Sequence, residues 1–74
     1  MKVIEEIRRQ RAIVGTAHAA SVILSHSAFK RLLAEKDEFG LDQLNTQTIP
    51  PTIYRMRISI ADEPDREVTV LASA

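Results

Sequence analysis

The chain has 74 residues and sets ten basic against ten acidic side chains, for a formal net charge of zero. That length holds one domain and excludes a large multidomain enzyme. The chain has no cysteine, which removes disulfides, thiol nucleophiles and Cys-ligated metals, and 45% hydrophobic with 27% charged residues is the balance of a globular domain rather than a fibre or a disordered tail.

Lys2 to Val14 reads as a short helix. Val3, Ile4, Ile7 and Val14 fall near one stripe, with Ala12 and Ile13 beside it. Glu5 and Arg9 stand at i, i+4 in the favourable order, worth about 0.2–0.5 kcal/mol on an exposed face. Arg8, Arg9 and Arg11 come late, toward the negative end of the macrodipole, and Gly15 comes next as a C-terminal stop. The segment Ala19 to Ser25 admits two readings. As helix it merges with its C-terminal neighbour into one amphipath from Thr16 to Glu38. As strand, Val22-Ile23-Leu24 is a short buried run of the kind central strands carry. Ser25 favours the strand: a Ser closing an apolar run ahead of His26-Ser27-Ala28-Phe29 looks like a strand ending at a helix N-cap, with Ser25 or Ser27 supplying the oxygen.

Ser27 to Glu38 is the strongest helix. Phe29, Leu32 and Leu33 mark one face, and Lys30, Arg31, Glu35, Lys36 and Asp37 cover the other. Gly40 ends it, Phe39 is expected to fold back on the core, and Leu41 to Leu44 offers one more turn. Asn45 to Thr48 is polar and irregular, and Pro50-Pro51 force an extended backbone. Thr52 to Ile60 is the clearest strand, alternating Tyr54, Met56, Ile58 and Ile60 against Arg55, Arg57 and Ser59. Ala61 to Arg66 reads as an acidic, Pro-containing turn, and Glu67 to Ala72 returns as a strand with Val68, Val70 and Ala72 on one side. These last two strands are expected to pair as an antiparallel hairpin, with Val22 to Leu24 beside them. The fold predicted is α+β: an N-terminal helix, then β-α-β-β, with a three-stranded sheet. Its apolar face (Val22 or Ile23, Leu24, Tyr54, Met56, Ile58, Val68, Val70) packs on Phe29, Leu32, Leu33 and Phe39.

Candidate chemistry is sparse. His18 and His26, eight apart, would sit about 12 Å from each other along a helix, too far for one metal, and as a strand's two flanks nothing pairs them; no third ligand stands at a metal-binding spacing. Ser25-His26-Ser27 lacks a nearby orienting carboxylate, so both serines read as caps. Gly15 and Gly40 are the only glycines, so there is no phosphate-cradling loop. The acid pairs Asp37-Glu38 and Asp62-Glu63 lie where burial, and hence a raised carboxyl pKa, is not expected. Arg8, Arg9 and Arg11 read either as a phosphate-contacting helix face or, preferably, as the solvated end of a helix that begins with Glu5 and Glu6. Arg55 and Arg57 project from one face of the main strand; covering them would be costly, so that face is expected to stay open to water or to meet an acidic partner. Val68 and Leu71 lie on opposite sides of the last strand, which leaves apolar surface there for another chain.

Size bears on the same question. A domain this small buries only about 60% of its unfolded surface, and without a disulfide or a metal it gains from a partner chain. No apolar run approaches the roughly 20 residues of a spanning helix; the longest, Ala19 to Leu24, is interrupted by Ser21. Acids at positions 5 and 6 occupy the place of a signal peptide's apolar core, so a cytoplasmic location is the expectation.

The stretch Val22-Ile23-Leu24-Ser25-His26-Ser27-Ala28-Phe29-Lys30-Arg31-Leu32, with Pro50-Pro51-Thr52-Ile53-Tyr54-Arg55-Met56 and Asp62-Glu63-Pro64-Asp65-Arg66-Glu67-Val68, resembles small accessory proteins of tailed bacteriophages. Those have a strand ending in Ser, a helix, and a C-terminal hairpin with an acidic, Pro-containing turn. The resemblance spans residues 19–72 and departs at Arg55, in the region where such proteins often carry Gly. It implies a binding role in a virion, in the host cytoplasm or against a host protein, and no catalytic residue carries over from it.

The expectation is therefore a single domain over residues 1–74, whose N-terminal helix (residues 1–15) packs on its own domain or docks on a partner or second copy. Its work would be non-catalytic protein–protein interaction, as a homodimer, with contact residues Arg8, Arg9, Arg11, Arg55, Arg57 and Leu71. The alternative is a small nucleic-acid-binding protein using the same arginines, although zero net charge argues against non-specific binding to phosphate. No cofactor, metal or membrane partner is implied.

Overall fold

The computed structural model describes residues 2–62 and 66–73. Helix α1 runs Val3–Val14. Its first turn receives no hydrogen bond from the side chain of Lys2, which precedes it; the Glu35 carboxylate of the second helix does this work instead, accepting from the Val3 and Ile4 amides at 2.9 Å each. Gly15 closes α1 at φ 103, a value that excludes most side chains, and donates to the Arg11 carbonyl at 3.0 Å. Val3, Ile4 and Ile7 are buried within the chain, while Ile13, beside the stripe, is exposed.

Strand β1 is Ala19–Ser25 and helix α2 is His26–Phe39. The strand therefore ends where the helix begins, and Ser25 is the hinge: its backbone is extended, and its Oγ accepts from the Ala28 amide at 3.1 Å as an N-cap. Gly40 ends α2 in the left-handed conformation, φ 65, with its amide on the Lys36 carbonyl at 2.8 Å. Short strands β2, Leu44–Asn45, and β3, Thr52–Ile53, come next, then β4, Met56–Ala61, and β5, Val68–Ala72. No helix is long and apolar enough to cross a membrane among the described residues.

The architecture is α+β, with a five-stranded mixed sheet in the order β2-β3-β4-β1-β5. This corrects the expected three-stranded sheet in two places. The continuous strand from Thr52 to Ile60 is broken by a two-residue turn at Tyr54-Arg55, which joins β3 to β4 as a tight hairpin with Ile53 opposite Met56. Tyr54 and Arg55 both take positive φ, 49 and 66, as a type I′ turn requires. An alternating pattern cannot reveal such a turn, because neither residue is the Asn or Gly that usually marks it. The second correction concerns the ends: β4 and β5 do not pair with each other. β1 lies between them, parallel to β4 and antiparallel to β5. Its apolar composition suits a strand hydrogen-bonded along both edges. The turn expected over Ala61 to Arg66 includes Glu63, Pro64 and Asp65, which lie outside the described residues.

Val22 stands opposite both Ile58 and Val70, and Leu24 opposite Val68. These side chains form one buried face with Met56, Ile53 and Leu44, and the helices contribute Val3, Ile4, Ile7, Ala28 and Leu32 to the same cluster. Val22, not Ile23, is the inward residue of its pair. Phe29 and Leu33 flank the cluster, whereas Phe39 does not fold into it. Its ring is 48% exposed and lies under the Lys2 ammonium, 3.9 Å from the ring centroid. Tyr54 is only partly buried at the rim, carried out of the core by its turn. Ile60, at the end of the inward row, is exposed. Glu35, expected on the solvated side of α2, is buried.

One edge of the sheet is protected by a side chain. The Ser25 amide donates to the Glu67 carbonyl, so residues 67, 69 and 71 turn their backbone groups toward β1 while 68 and 70 turn theirs outward. The Gln10 carboxamide takes two of these four outward groups: Nε2 donates to the Val68 carbonyl at 2.8 Å, and Oε1 accepts from the Val70 amide at 2.9 Å. One side chain thus imitates the next strand and blocks edge pairing. Gln10→Ala is expected to lose about 1–3 kcal/mol of unfolding free energy in urea titration and to aggregate faster on warming. A variant matching the parent in both would show that water replaces the amide without cost.

Candidate interaction surface

Both helices lie against the buried face, and among the described residues no helix covers the opposite face of the sheet. The register sets what this face presents. Asn45 stands opposite Thr52, Thr52 opposite Arg57, Arg57 opposite Ser21, and Ser21 opposite Leu71. One row of side chains therefore crosses all five strands. A second row runs Ser59, Ile23, Thr69. Ile23 is partly buried by its neighbours, and Leu71 is 42% exposed. Arg57 is the only charged residue in any of the five strands.

The structure redistributes the expected contact residues. Arg57 and Leu71 share the uncovered face, as the alternation implied. Arg55 does not; it sits in the β3–β4 turn. There it lines one cleft with Arg11 of α1, and Tyr54 beside it is held from that helix. The Arg8 Nε donates to the Tyr54 hydroxyl at 2.7 Å, and the Arg11 guanidinium carbon lies 4.7 Å from the Tyr54 ring centroid. Arg8 and Arg11, read from sequence as one helix cluster, and Arg55, read as part of the strand face, come together at one tyrosine. Arg9 is separated from them by pairing with Glu6. The partner expected was Glu5, but Glu6 is the nearer acid, accepting from Arg9 Nε at 2.9 Å and from its terminal nitrogen, and also from Gln10 at 3.0 Å. The Arg9 bond and then the Gln10 bond hold the Glu6 carboxyl down at about 2, so it stays charged wherever the protein is handled.

His26 has a partner after all: its Nε2 is 2.9 Å from the Asp62 carboxylate, at the matching ends of α2 and β4. The parallel pairing of β1 with β4 brings Ala61 beside Ser25, and so places Asp62 near His26. Both side chains are largely exposed, at 66% and 92%; of the two neighbouring hydroxyls, Ser25 is engaged as the helix cap and Ser27 lies 3.3 Å from it. The pair is a solvated contact rather than a reacting dyad. Among the described residues no cluster of three metal-ligating side chains occurs.

No model of a protein family, no curated protein and no solved structure matches this chain.

Proposed function

We propose that the chain is a non-catalytic protein–protein interaction module, working as a homodimer joined through the uncovered face of its sheet. The observation that carries this reading is the charge-poor row Asn45, Thr52, Arg57, Ser21 and Leu71, spanning a sheet with helices on its other side only. The cores of protein interfaces are likewise depleted in charge, with arginine the favoured cation. Five strands spaced about 4.8 Å apart give a face of roughly 400 Å² in projection. Side-chain relief brings that near the ~500 Å² per partner that a specific contact needs. A two-fold arrangement is the commonest way for one chain to cover its own exposed layer.

Sedimentation velocity over a concentration series tests the reading. The parent is expected to sediment at twice the 8.3 kDa chain mass. Leu71→Lys, which adds a charge at an exposed position, is expected to weaken the dimer by about tenfold or more while leaving the far-ultraviolet circular dichroism unchanged. A parent that stays monomeric at the highest concentration reached, or a dimer indifferent to Leu71→Lys, rejects this interface.

A further inference from the structure

The chain is formally neutral, yet its charges are unevenly paired. Arg9 and Arg31 are matched to Glu6 and Glu67, whereas Arg8, Arg11, Arg55 and Arg57 have no ion-pair partner among the described residues. The gathering of cations at Tyr54 is therefore not neutralised by the fold. Between the end of α1 and the β3–β4 turn lies a cleft of about 370 Å³, lined by Arg11, Thr16, Ala19, Gln43, Tyr54 and Arg55. It differs in sign from the molecule's two larger hollows. One sets Lys2 and Arg8 beside Glu5 and Asp42; the other sets Arg9 and Arg31 beside Glu6 and Glu67. Of these three hollows, as lined by the described residues, the Tyr54 cleft has cations and no carboxylate in its walls.

We propose that this cleft binds a phosphoryl group. Two arginines arrive from separate elements, Arg11 from α1 and Arg55 from the turn, and Thr16 and Gln43, both bearing polar side chains, share the wall. A planar carboxylate is satisfied by one guanidinium fork; several donors around one hollow suit a tetrahedral oxyanion, which can accept on all its oxygens. The Arg11 plane is fixed by the Tyr54 ring beneath it, itself tied through its hydroxyl to Arg8. The Arg11 Nε is buried with no acceptor, a donor that the fold leaves unused. Because Tyr54-Arg55 is a tight turn anchored by the Tyr54 amide donating to the Gln43 carbonyl at 3.2 Å, Arg55 is presented from a fixed backbone. The phosphoryl group has two sources, the backbone of a nucleic acid or a small phosphorylated molecule.

The full chain is titrated separately with inorganic phosphate and with a fluorescently labelled single-stranded oligonucleotide. The first titration is followed by the backbone amide resonances of Thr16, Gln43, Tyr54 and Arg55, the second by anisotropy at two salt concentrations. Arg55→Asn is the informative variant, because Asn is at ease at positive φ and the turn survives the loss of charge. Phosphate is expected to shift those amides saturably, and Arg55→Asn to weaken it about tenfold, the loss of one charged hydrogen-bonding group. Oligonucleotide binding that falls steeply with salt and is weakened equally by Arg55→Asn identifies nucleic acid as the source. Phosphate binding without oligonucleotide binding identifies a small phosphorylated ligand. No saturable phosphate shift at these amides, or an Arg55→Asn chain that binds as the parent does, overturns the proposal. Leu71 lies on a different surface, so the sedimentation result does not prejudge this one.

Discussion

Leu32→Ala is expected to remove about 2–5 kcal/mol of unfolding free energy, a large share of what holds this chain folded. Leu32 has no exposed surface and belongs to the single buried cluster that both helices and the sheet share. Truncation takes away the transfer free energy of three carbons and leaves a void that α2 cannot easily close. The helix is fixed at one end by the Ser25 cap and at the other by Gly40. A chain of this length has a total stability of roughly 4–11 kcal/mol, so the variant sits at the edge of unfolding without denaturant. Urea titration followed by circular dichroism reads the effect directly: at a slope of about 1 kcal/mol per molar for a small domain, the midpoint falls by roughly 2 M or more. A midpoint that does not move means that Leu32 is not on the buried face of α2.

Leu32 also marks how far the sequence could be read. Where one local rule decides the outcome, the reading holds: Ser25 caps α2, Gly15 and Gly40 close the helices, and β1 is a strand. Each is set by one residue's chemistry or by a short run of neighbours. The misses fall where two distant segments decide together. β1 inserts between β4 and β5 because an apolar strand is most stable with both edges paired, and the order of strands leaves no trace in their own sequences. The turn at Tyr54-Arg55 was hidden by alternation continuing through it, and that turn carries Arg55 from the sheet face to the tyrosine held by Arg8 and Arg11. At the candidate surface, Arg57 and Leu71 were legible from the period of two, but the gathering of Arg8, Arg11 and Arg55 was not. A weak signal existed for Glu35. Ala28, Leu32 and Glu35 repeat at helical spacing and are the buried positions of α2, so the face is centred on them, with Phe29 and Leu33 at its margin. Hydropathy alone sends a glutamate to solvent.

Glu35→Gln is the sharper test of how the first helix is held to the rest. The Glu35 side chain is 9% exposed, and its two oxygens accept from Val3 and Ile4, both at 2.9 Å. A helix begins with amides that lack partners inside it, and Lys2 supplies none from its side chain. The negative carboxylate meets the positive end of the α1 dipole with two charge-assisted bonds, linking positions 31 and 32 residues apart in the chain. Gln keeps the volume but discards the charge and turns an NH₂ toward one of the two amides, leaving that donor without an acceptor. The expected cost is about 1.5–3 kcal/mol, the range for bonds to a charged group. Glu35→Ala strands both amides and adds a void, so it is expected to cost more. Global stability alone would not separate this from ordinary core damage, but hydrogen exchange does. In Glu35→Gln the amides at the start of α1, Val3 and Ile4 first, are expected to lose protection well before those of β1 and β4. If protection falls uniformly across the sheet, Glu35 acts as core filling rather than as the cap that fastens α1.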